Sequence, residues 1–279
     1  MRNSETGAGI SMISNVLLSW YNLRQPLRIK KMRGVLLIYV FTLFFFSCKA
    51  QKEEQIEIPE PLKNGKEIIL HRKGYVVSYN PELKIPNWVA WHLTAAHADG
   101  NVKRYSSYLE DEDVPHPRAT PEDYKGCGWS HGHMCPAGDN KWDRKSMRET
   151  FLLTNMCPQD RSLNSGLWNR IEMDCRKWAK KYGDVYIVCG PVLLNTEHGT
   201  IGTHKIVVPE AFFKVILCLQ GTPKAIGFII RNNEGKKKRD QYINTVDDVE
   251  RITGFNFFPS LPDKIENEVE VYANFDDWR

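Results

Sequence analysis

The chain has 279 residues, of which 42% are hydrophobic and 26% are charged, and its formal net charge is +4 at pH 7. This composition excludes an intrinsically disordered protein and is sufficient for one large or two small folded domains. Residues 1–47 hold six of the 38 Lys and Arg but one of the 34 Asp and Glu, which leaves 32 basic and 33 acidic residues, net −1, in the remainder. Any binding to a polyanion must therefore use a local basic patch.

The first predicted element is an export signal. A basic cluster at 28–33 precedes the apolar run VLLIYVFTLFFF at 35–46, which is shorter than the roughly 20 residues that span a bilayer. Such a run, followed by Ser47 and Cys48, predicts a secretory signal peptide, and the cysteine resembles a bacterial lipoprotein processing site. We expect an exported, membrane-anchored protein with a lipid at Cys48, periplasmic or on the cell surface. The alternative is a cleaved signal with an incidental cysteine.

The remaining chain divides into a linker and one domain. Met32 stands where such a signal naturally begins, so residues 1–48 are interpreted as upstream sequence plus signal. Residues 49–72 are charged, contain two prolines and predict a linker. Residues 73–279 predict a single folded domain.

Strand-forming and helix-forming patterns are mixed along this domain. The apolar periodicity of 164–182, ended by Gly183, predicts a helix from Asn164 to Tyr182, and a second helix is predicted over Val246 to Thr253. Because regular β-α-β alternation is missing, the pattern favours an α+β fold. Six segments rich in β-branched and aromatic residues predict strands: Tyr75–Tyr79, Trp88–Leu93, Thr150–Asn155, Val185–Gly190, Ala211–Leu219 and Ala225–Ile230.

The stretch GWSHGHMCPAGDN at 128–140 concentrates reactive side chains. Cys127, His131, His133 and Cys135 are a possible soft-metal set, although one short strand cannot easily surround a tetrahedral ion. A histidine here is also a candidate general base. Of the other cysteines, Cys175 and Cys189 lie in apolar patterns and are predicted to be core residues, and disulfide pairing cannot be derived from the sequence.

The predicted helix carries a polar stripe that suits a hard cation and a phosphate. At helical spacing, Asn164, Glu172 and Arg176 fall within an arc of roughly 120°. Amide and carboxylate oxygens suit Mg²⁺, and a guanidinium suits phosphate oxygens. Spacing alone favours a solvated face with a Glu172–Arg176 ion pair, and Asn164 is also a candidate for a simple helix cap.

A run of four bases, Lys236 to Arg239, stands in the segment 232–242. It predicts either a phosphate-binding loop or a solvated hairpin loop. Signatures of a recognition helix or a zinc finger are missing, so any nucleic acid would be bound through its backbone.

Several of these motifs, in this order, resemble the DNA/RNA non-specific endonuclease family of the ββα-metal superfamily, which includes mitochondrial endonuclease G. The resemblance extends over roughly 75–262. It implies a ββα-metal (His-Me finger) nuclease fold, with a mixed, mainly antiparallel sheet core and flanking helices. The matching residues are His133, Pro136, Thr154, Asn155, Pro158, Gln159, Leu163, Asn164, Trp168 and Glu172.

The resemblance also implies the chemistry. His133 would be the general base, and Asn164 would be the single direct protein ligand of Mg²⁺, with Mn²⁺ or Ca²⁺ as possible substitutes. Glu172 would hold a water of that ion. The implied activity is hydrolysis of phosphodiester bonds in DNA and RNA with little sequence preference, leaving 5′-phosphate ends.

Three further positions are matched to supporting roles. Asn155 would brace the catalytic site, and Arg176 would contact phosphate. Arg104 is the match for an arginine that the family carries upstream of the histidine motif, which implies a contact with substrate.

The chain departs from the family where the family has Asp-Arg before Gly-His. Here Ser130 and His131 take those places, where we expect them to contact substrate. His131 replaces a permanent cation only when it is protonated, which predicts weaker activity or activity favoured at mildly acidic pH. The rival interpretation is a catalytically weakened lipoprotein that binds nucleic acid.

Overall fold

The computed structural model describes residues 55–61 and 66–279. The predicted signal segment and Cys48 lie outside these residues. Within the described part of the chain, no helix has both the length and the apolar character that crossing a membrane requires.

The centre of the fold is a seven-stranded sheet in which every neighbouring pair of strands is antiparallel. The strands of this sheet are β1 Ile68–His71, β2 Val76–Asn80, β3 Ile85–Thr94, β6 Asp184–Val192, β9 Ala211–Cys218, β10 Lys224–Arg231 and β11 Ile243–Asn244. Their order across the sheet is β1-β2-β3-β6-β9-β10-β11. Short turns join β1 to β2, β2 to β3 and β9 to β10, whereas longer segments separate the other neighbours.

Two small antiparallel strand pairs, here called hairpins, lie outside the main sheet, and the strands of the first are joined by the long segment 134–155. One pairs β4 Ser130–His133 with β5 Met156–Gln159, and the other pairs β7 Thr200–Ile201 with β8 Ile206–Val207. The first hairpin runs directly into the longest helical segment of the described chain. A ββα unit is therefore formed by 130–182.

The longest helical segment, here called the site helix, comprises α3 Arg161–Leu163, a π-helical turn Asn164–Trp168 and α4 Asn169–Tyr182. Its N-cap is Asp160, whose carboxylate accepts hydrogen bonds from two backbone amides, and it ends at Gly183 with φ of 100°. The helix predicted from Asn164 is confirmed but begins earlier. The other α-helices are α1 Ala95–Ala98, α2 Arg144–Glu149, α5 Val246–Thr253 and α6 Asp263–Glu270.

The two faces of the sheet support different halves of the core. Alternate side chains of the central strands point to opposite faces. One face packs beneath the site helix, where Trp168, Ile171 and Cys175 are buried. The other packs against α5 and α6 through Val249, Val269 and neighbouring aromatic residues. The sheet thus separates the site helix from α5 and α6.

Two sequence predictions are corrected by the fold. The apolar segment Thr150–Asn155 is buried, but it is not a strand, because it leaves the end of α2 and turns through a 3-10 helix over Leu153–Asn155. The predicted linker 49–72 extends too far toward the C-terminus, because part of it belongs to the folded domain. Within it, Ile56 and Ile58 pack against the core and β1 is part of the sheet, because apolar residues there can be buried at the sheet edge.

Candidate functional site

A cleft of about 600 Å³ lies where the β4–β5 hairpin meets the site helix. Within the hairpin, the backbone of β4 lies close to the side chain of Gln159 on β5. A Cβ on Gly132 would lie 2.6 Å from that side chain, so a glycine is required between the two histidines. Six of the eight residues predicted for the site line this cleft, namely Arg104, His131, His133, Asn164, Glu172 and Arg176.

His133 is held as a neutral, buried imidazole. Only 8% of the residue is exposed, and its ring packs edge-on against Phe151 with 5.1 Å between centroids. Burial, followed by the charge of Arg104, lowers the pKa of His133 to about 3. Its Nε2 has no hydrogen-bond partner among the described residues. The ring is therefore deprotonated at neutral pH, as a proton acceptor must be.

His131 lies between two tyrosine rings. It stacks on Tyr108 at 3.6 Å and on Tyr124 at 4.1 Å between centroids. Burial lowers the pKa of His131 to about 4. At mildly acidic pH the ring is still neutral, so the structure argues against His131 as a replacement cation under those conditions.

We expect the pH dependence of stability to report this burial. The folded pKa of His131 lies below the unfolded value of about 6.5. Its contribution to stability is therefore complete above pH 6.5 and is lost as the pH falls toward 4. Between pH 7.5 and 4.5, His131→Phe, which keeps an aromatic ring in the stack, should lose less unfolding free energy than the parent. The difference should be on the order of 1 kcal/mol in urea titrations.

Equal losses in the parent and in His131→Phe would contradict a neutral, buried His131. His116→Phe is the matched control, since His116 is exposed. Its pH dependence should match that of the parent.

Asn164 and Glu172 present oxygen atoms to the cleft without protein partners. Neither side chain makes a hydrogen bond or an ion pair with any described residue, although both line the cleft. Asp160 performs the capping role that Asn164 was an alternative candidate for. The π-helical turn also widens the helix between Asn164 and Glu172, a feature common at functional sites.

Burial raises the pKa of Glu172 to about 7, against the opposing charge of Lys214. Lys214 is fully buried on β9, and its Nζ lies 4.4 Å from the centroid of the Trp168 ring and 4.9 Å from that of Trp91. Sequence reasoning missed this residue. The available signal was a lysine in the centre of the apolar strand AFFKVILC, because burying a charge is costly unless other groups stabilise it.

Arg176 is positioned by a carboxylate that the sequence analysis also missed. Its guanidinium donates to Oδ1 of Asp139 at 2.7 Å, and the other oxygen of Asp139 accepts from the indole of Trp91 at 3.1 Å. Asp139 is itself buried, so this ion pair is shielded from water. The alternative Glu172–Arg176 ion pair does not form in the described residues.

Asn155 and Ser130 do not line the cleft. Asn155 is fully buried, accepts a hydrogen bond from the amide of Cys135 at 2.9 Å, and donates to the carbonyls of Cys135 and Thr150. It therefore fixes the turn that follows His133. Ser130 begins β4 opposite Gln159, at the far end of the hairpin from His133.

The soft-metal alternative is not supported by the side-chain positions. In 55–61 and 66–279, Cys127, His131, His133 and Cys135 do not gather into a group that could share one ion. All six cysteines of the described chain are free thiols. Cys175 and Cys189 are buried, which confirms them as core residues.

Positive charge surrounds the cleft. Lys103, Arg104, Lys141 and Arg176 line it, against one carboxylate from Glu172. The four bases of 236–239 line a second cavity together with Arg170, which follows the cleft residue Asn169 on α4. The basic loop 236–239 therefore forms a second local concentration of positive charge, although the net charge of residues 48–279 is −1.

Comparisons with known proteins agree with this geometry. A family model described as DNA/RNA non-specific endonuclease matches residues 53–264. The chain is 37% identical over 205 residues to mitochondrial nuclease EXOG of Xenopus laevis, a match that covers 67% of this chain and 57% of that protein. It is 38% identical to nuclease C1 of Cunninghamella echinulata var. echinulata, covering 69% of this chain and 83% of that protein.

The fold also resembles a solved structure. The crystal structure of an EndoG/EndoGI complex, described as showing the mechanism of EndoG inhibition, contains a chain that is similar with a TM-score of 0.67 and 29% identity. The match covers 72% of this chain and 89% of that one. The expected α+β, mainly antiparallel ββα arrangement is thereby confirmed.

Proposed function

Since this chain belongs to the DNA/RNA non-specific endonuclease family, we propose that it hydrolyses phosphodiester bonds in DNA and RNA with little sequence preference. The observation that carries the proposal is the convergence of three kinds of group in one cleft. These are the neutral imidazole of His133, the unpaired oxygens of Asn164 and Glu172, and the cations Arg104 and Arg176.

The donor set of the cleft fits a hard divalent cation. The side-chain oxygens of Asn164 and Glu172 have no competing partner among the described residues, and Mg²⁺ prefers oxygen ligands while retaining most of its water. Asn164 would hold the ion directly, and Glu172 would accept a hydrogen bond from its hydration shell. When bound, Mg²⁺ neutralises charge on the phosphate in the transition state and assists departure of the 3′ oxygen. Mn²⁺ or Ca²⁺ would be alternatives.

His133 would take one proton from the attacking water. The new bond joins the water oxygen to phosphorus, and the bond between phosphorus and the 3′ oxygen breaks. The departing 3′ oxygen takes a proton from solvent water, so the products are a 5′-phosphate and a 3′-hydroxyl, and the imidazole returns its own proton to solvent. Because the ring begins neutral and its turn is fixed by Asn155, the acceptor is ready without prior deprotonation.

Substrate would be held through its phosphates. The guanidinium of Arg176 is held in place by its hydrogen bond to Asp139 and has further N–H groups that can bind phosphate. The guanidinium of Arg104 packs over Phe151, with its Cζ 5.0 Å from the ring centroid. Guanidinium groups bind phosphate oxygens of any sequence. The basic loop at 236–239 would neutralise a neighbouring stretch of backbone.

The proposal is tested by incubating the purified protein with supercoiled plasmid, single-stranded DNA and RNA. With Mg²⁺ we expect all three to be cut into fragments with 5′-phosphate ends, and EDTA should abolish cleavage. Cleavage that persists in EDTA would contradict a cation-dependent mechanism. Salt-sensitive binding without cleavage under any divalent cation would instead favour a nucleic-acid-binding protein that has lost catalysis.

A further inference from the structure

Three carboxylates meet on the face of the sheet opposite the cleft. Asp247 and Glu250 lie on α5, and Glu270 is the last residue of α6. One oxygen from each lies within 4.8 Å of the other two. In the described residues this is the sole group of histidines, cysteines and carboxylates so arranged.

Glu270 is buried at this point without a partner. The residue is 7% exposed, and its Oε1 is inaccessible to water and makes no hydrogen bond with the described residues. An unpaired carboxylate oxygen in such a position is costly, since buried polar atoms are normally satisfied. Its neighbour Glu250 already uses Oε1 to accept a hydrogen bond from the amide of Phe257 at 2.7 Å.

The surroundings add negative charge. The charges of Glu250, Glu266 and Asp247 oppose a negative charge on Glu270, and burial opposes it as well. Arg251, which follows Glu250 on α5, is exposed and pairs with Asp248 rather than with the three carboxylates. The C-terminal end of α6 also disfavours an anion, because the helix dipole is negative there. Thus the described groups acting on Glu270 all favour a bound cation.

We propose that Asp247, Glu250 and Glu270 form a binding site for a divalent cation, with Ca²⁺ preferred, which links α5 to α6. Carboxylates from two helices suit Ca²⁺, which takes six to eight oxygen ligands in flexible geometry, better than Mg²⁺, which demands near-ideal octahedral geometry. The ion would pair the buried oxygen of Glu270 and remove the repulsion among the carboxylates. The site is structural and separate from the cleft, so it does not depend on the proposed nuclease activity.

The test uses thermal unfolding of the full chain carrying Asn164→Ala, which removes the proposed ligand in the cleft. We expect saturating CaCl₂ to raise Tm by roughly 5 °C, since ligand binding to the folded state at 100-fold excess over Kd has about this effect on a domain of this size. Addition of Glu270→Gln should abolish the rise. Glu268→Gln, an exposed glutamate two residues earlier, should leave it intact.

Calorimetric titration with CaCl₂ distinguishes binding from general salt effects. In the Asn164→Ala background we expect one Ca²⁺ per chain, and no detectable binding after Glu270→Gln. MgCl₂ should bind at least tenfold more weakly. Lack of a Ca²⁺-dependent rise in Tm, or an equal rise with and without Glu270→Gln, would overturn the site. Plasmid cleavage by Glu270→Gln in Mg²⁺ should equal that of the parent, so failure of this site and failure of the nuclease proposal give different results.

Discussion

Replacing His133 with alanine is expected to lower the rate of plasmid cleavage by about 10²- to 10⁴-fold, the usual contribution of a positioned general base. Its imidazole has a pKa of about 3, which leaves the ring deprotonated at neutral pH, and its Nε2 has no hydrogen-bond partner among the described residues. Alanine cannot accept the proton of the attacking water. Affinity for uncut substrate should change little, because His133 contributes no charge to binding.

The measurement is the initial nicking rate in Mg²⁺, with binding of uncut plasmid followed separately without a divalent cation. His97→Ala is the matched control, since His97 stacks on Trp142 outside the cleft and should retain the rate of the parent. Thermal unfolding of both variants checks that folding is preserved. A folded His133→Ala variant that cleaves within tenfold of the parent would remove His133 from the chemistry.

Replacing Asn164 with alanine is expected to lower cleavage at 1 mM Mg²⁺ by roughly 10²-fold or more, through loss of the only proposed direct protein ligand of the ion. Part of the loss should be recovered at higher Mg²⁺ concentration, because water can replace the amide oxygen. Asn164→Asp, which keeps an oxygen at this position and adds charge, should require less Mg²⁺ than the alanine variant.

Cleavage rate as a function of Mg²⁺ concentration separates these cases. Asn169→Ala is the control, since it removes an amide from the same cleft one helical turn later, and it should change the rate less than tenfold. If Asn164→Ala showed the Mg²⁺ dependence of the parent, the cation would have to be held elsewhere.

Much of the site could be predicted because its residues lie on two local elements. His133 and Asn164 belong to the single ββα unit 130–182, so their convergence is set by the pairing of β4 with β5 and the helix that follows directly. The helix period likewise brings Glu172 and Arg176 to one stripe. A predicted strand such as Ala225–Ile230 is confirmed because it has a neighbouring strand on each side in the main sheet.

The remainder depends on tertiary contacts that no local pattern contains. Asp139 acquires its role by meeting Arg176 and Trp91 from distant parts of the chain. Lys214 matters because its strand passes beneath the site helix. The segment Thr150–Asn155 has strand-like composition, but Asn155 uses its side chain to satisfy the neighbouring backbone, and a turn results.

The lengths of the outer strands have a consequence for self-association. At one edge of the sheet, β11 pairs through two residues, which leaves little backbone for an incoming strand from another molecule. The opposite edge, β1, is four residues long and exposes Ile69. Open strand edges are the places where sheets recruit further chains into aggregates. Any intermolecular growth of this sheet would therefore be directed to the β1 side.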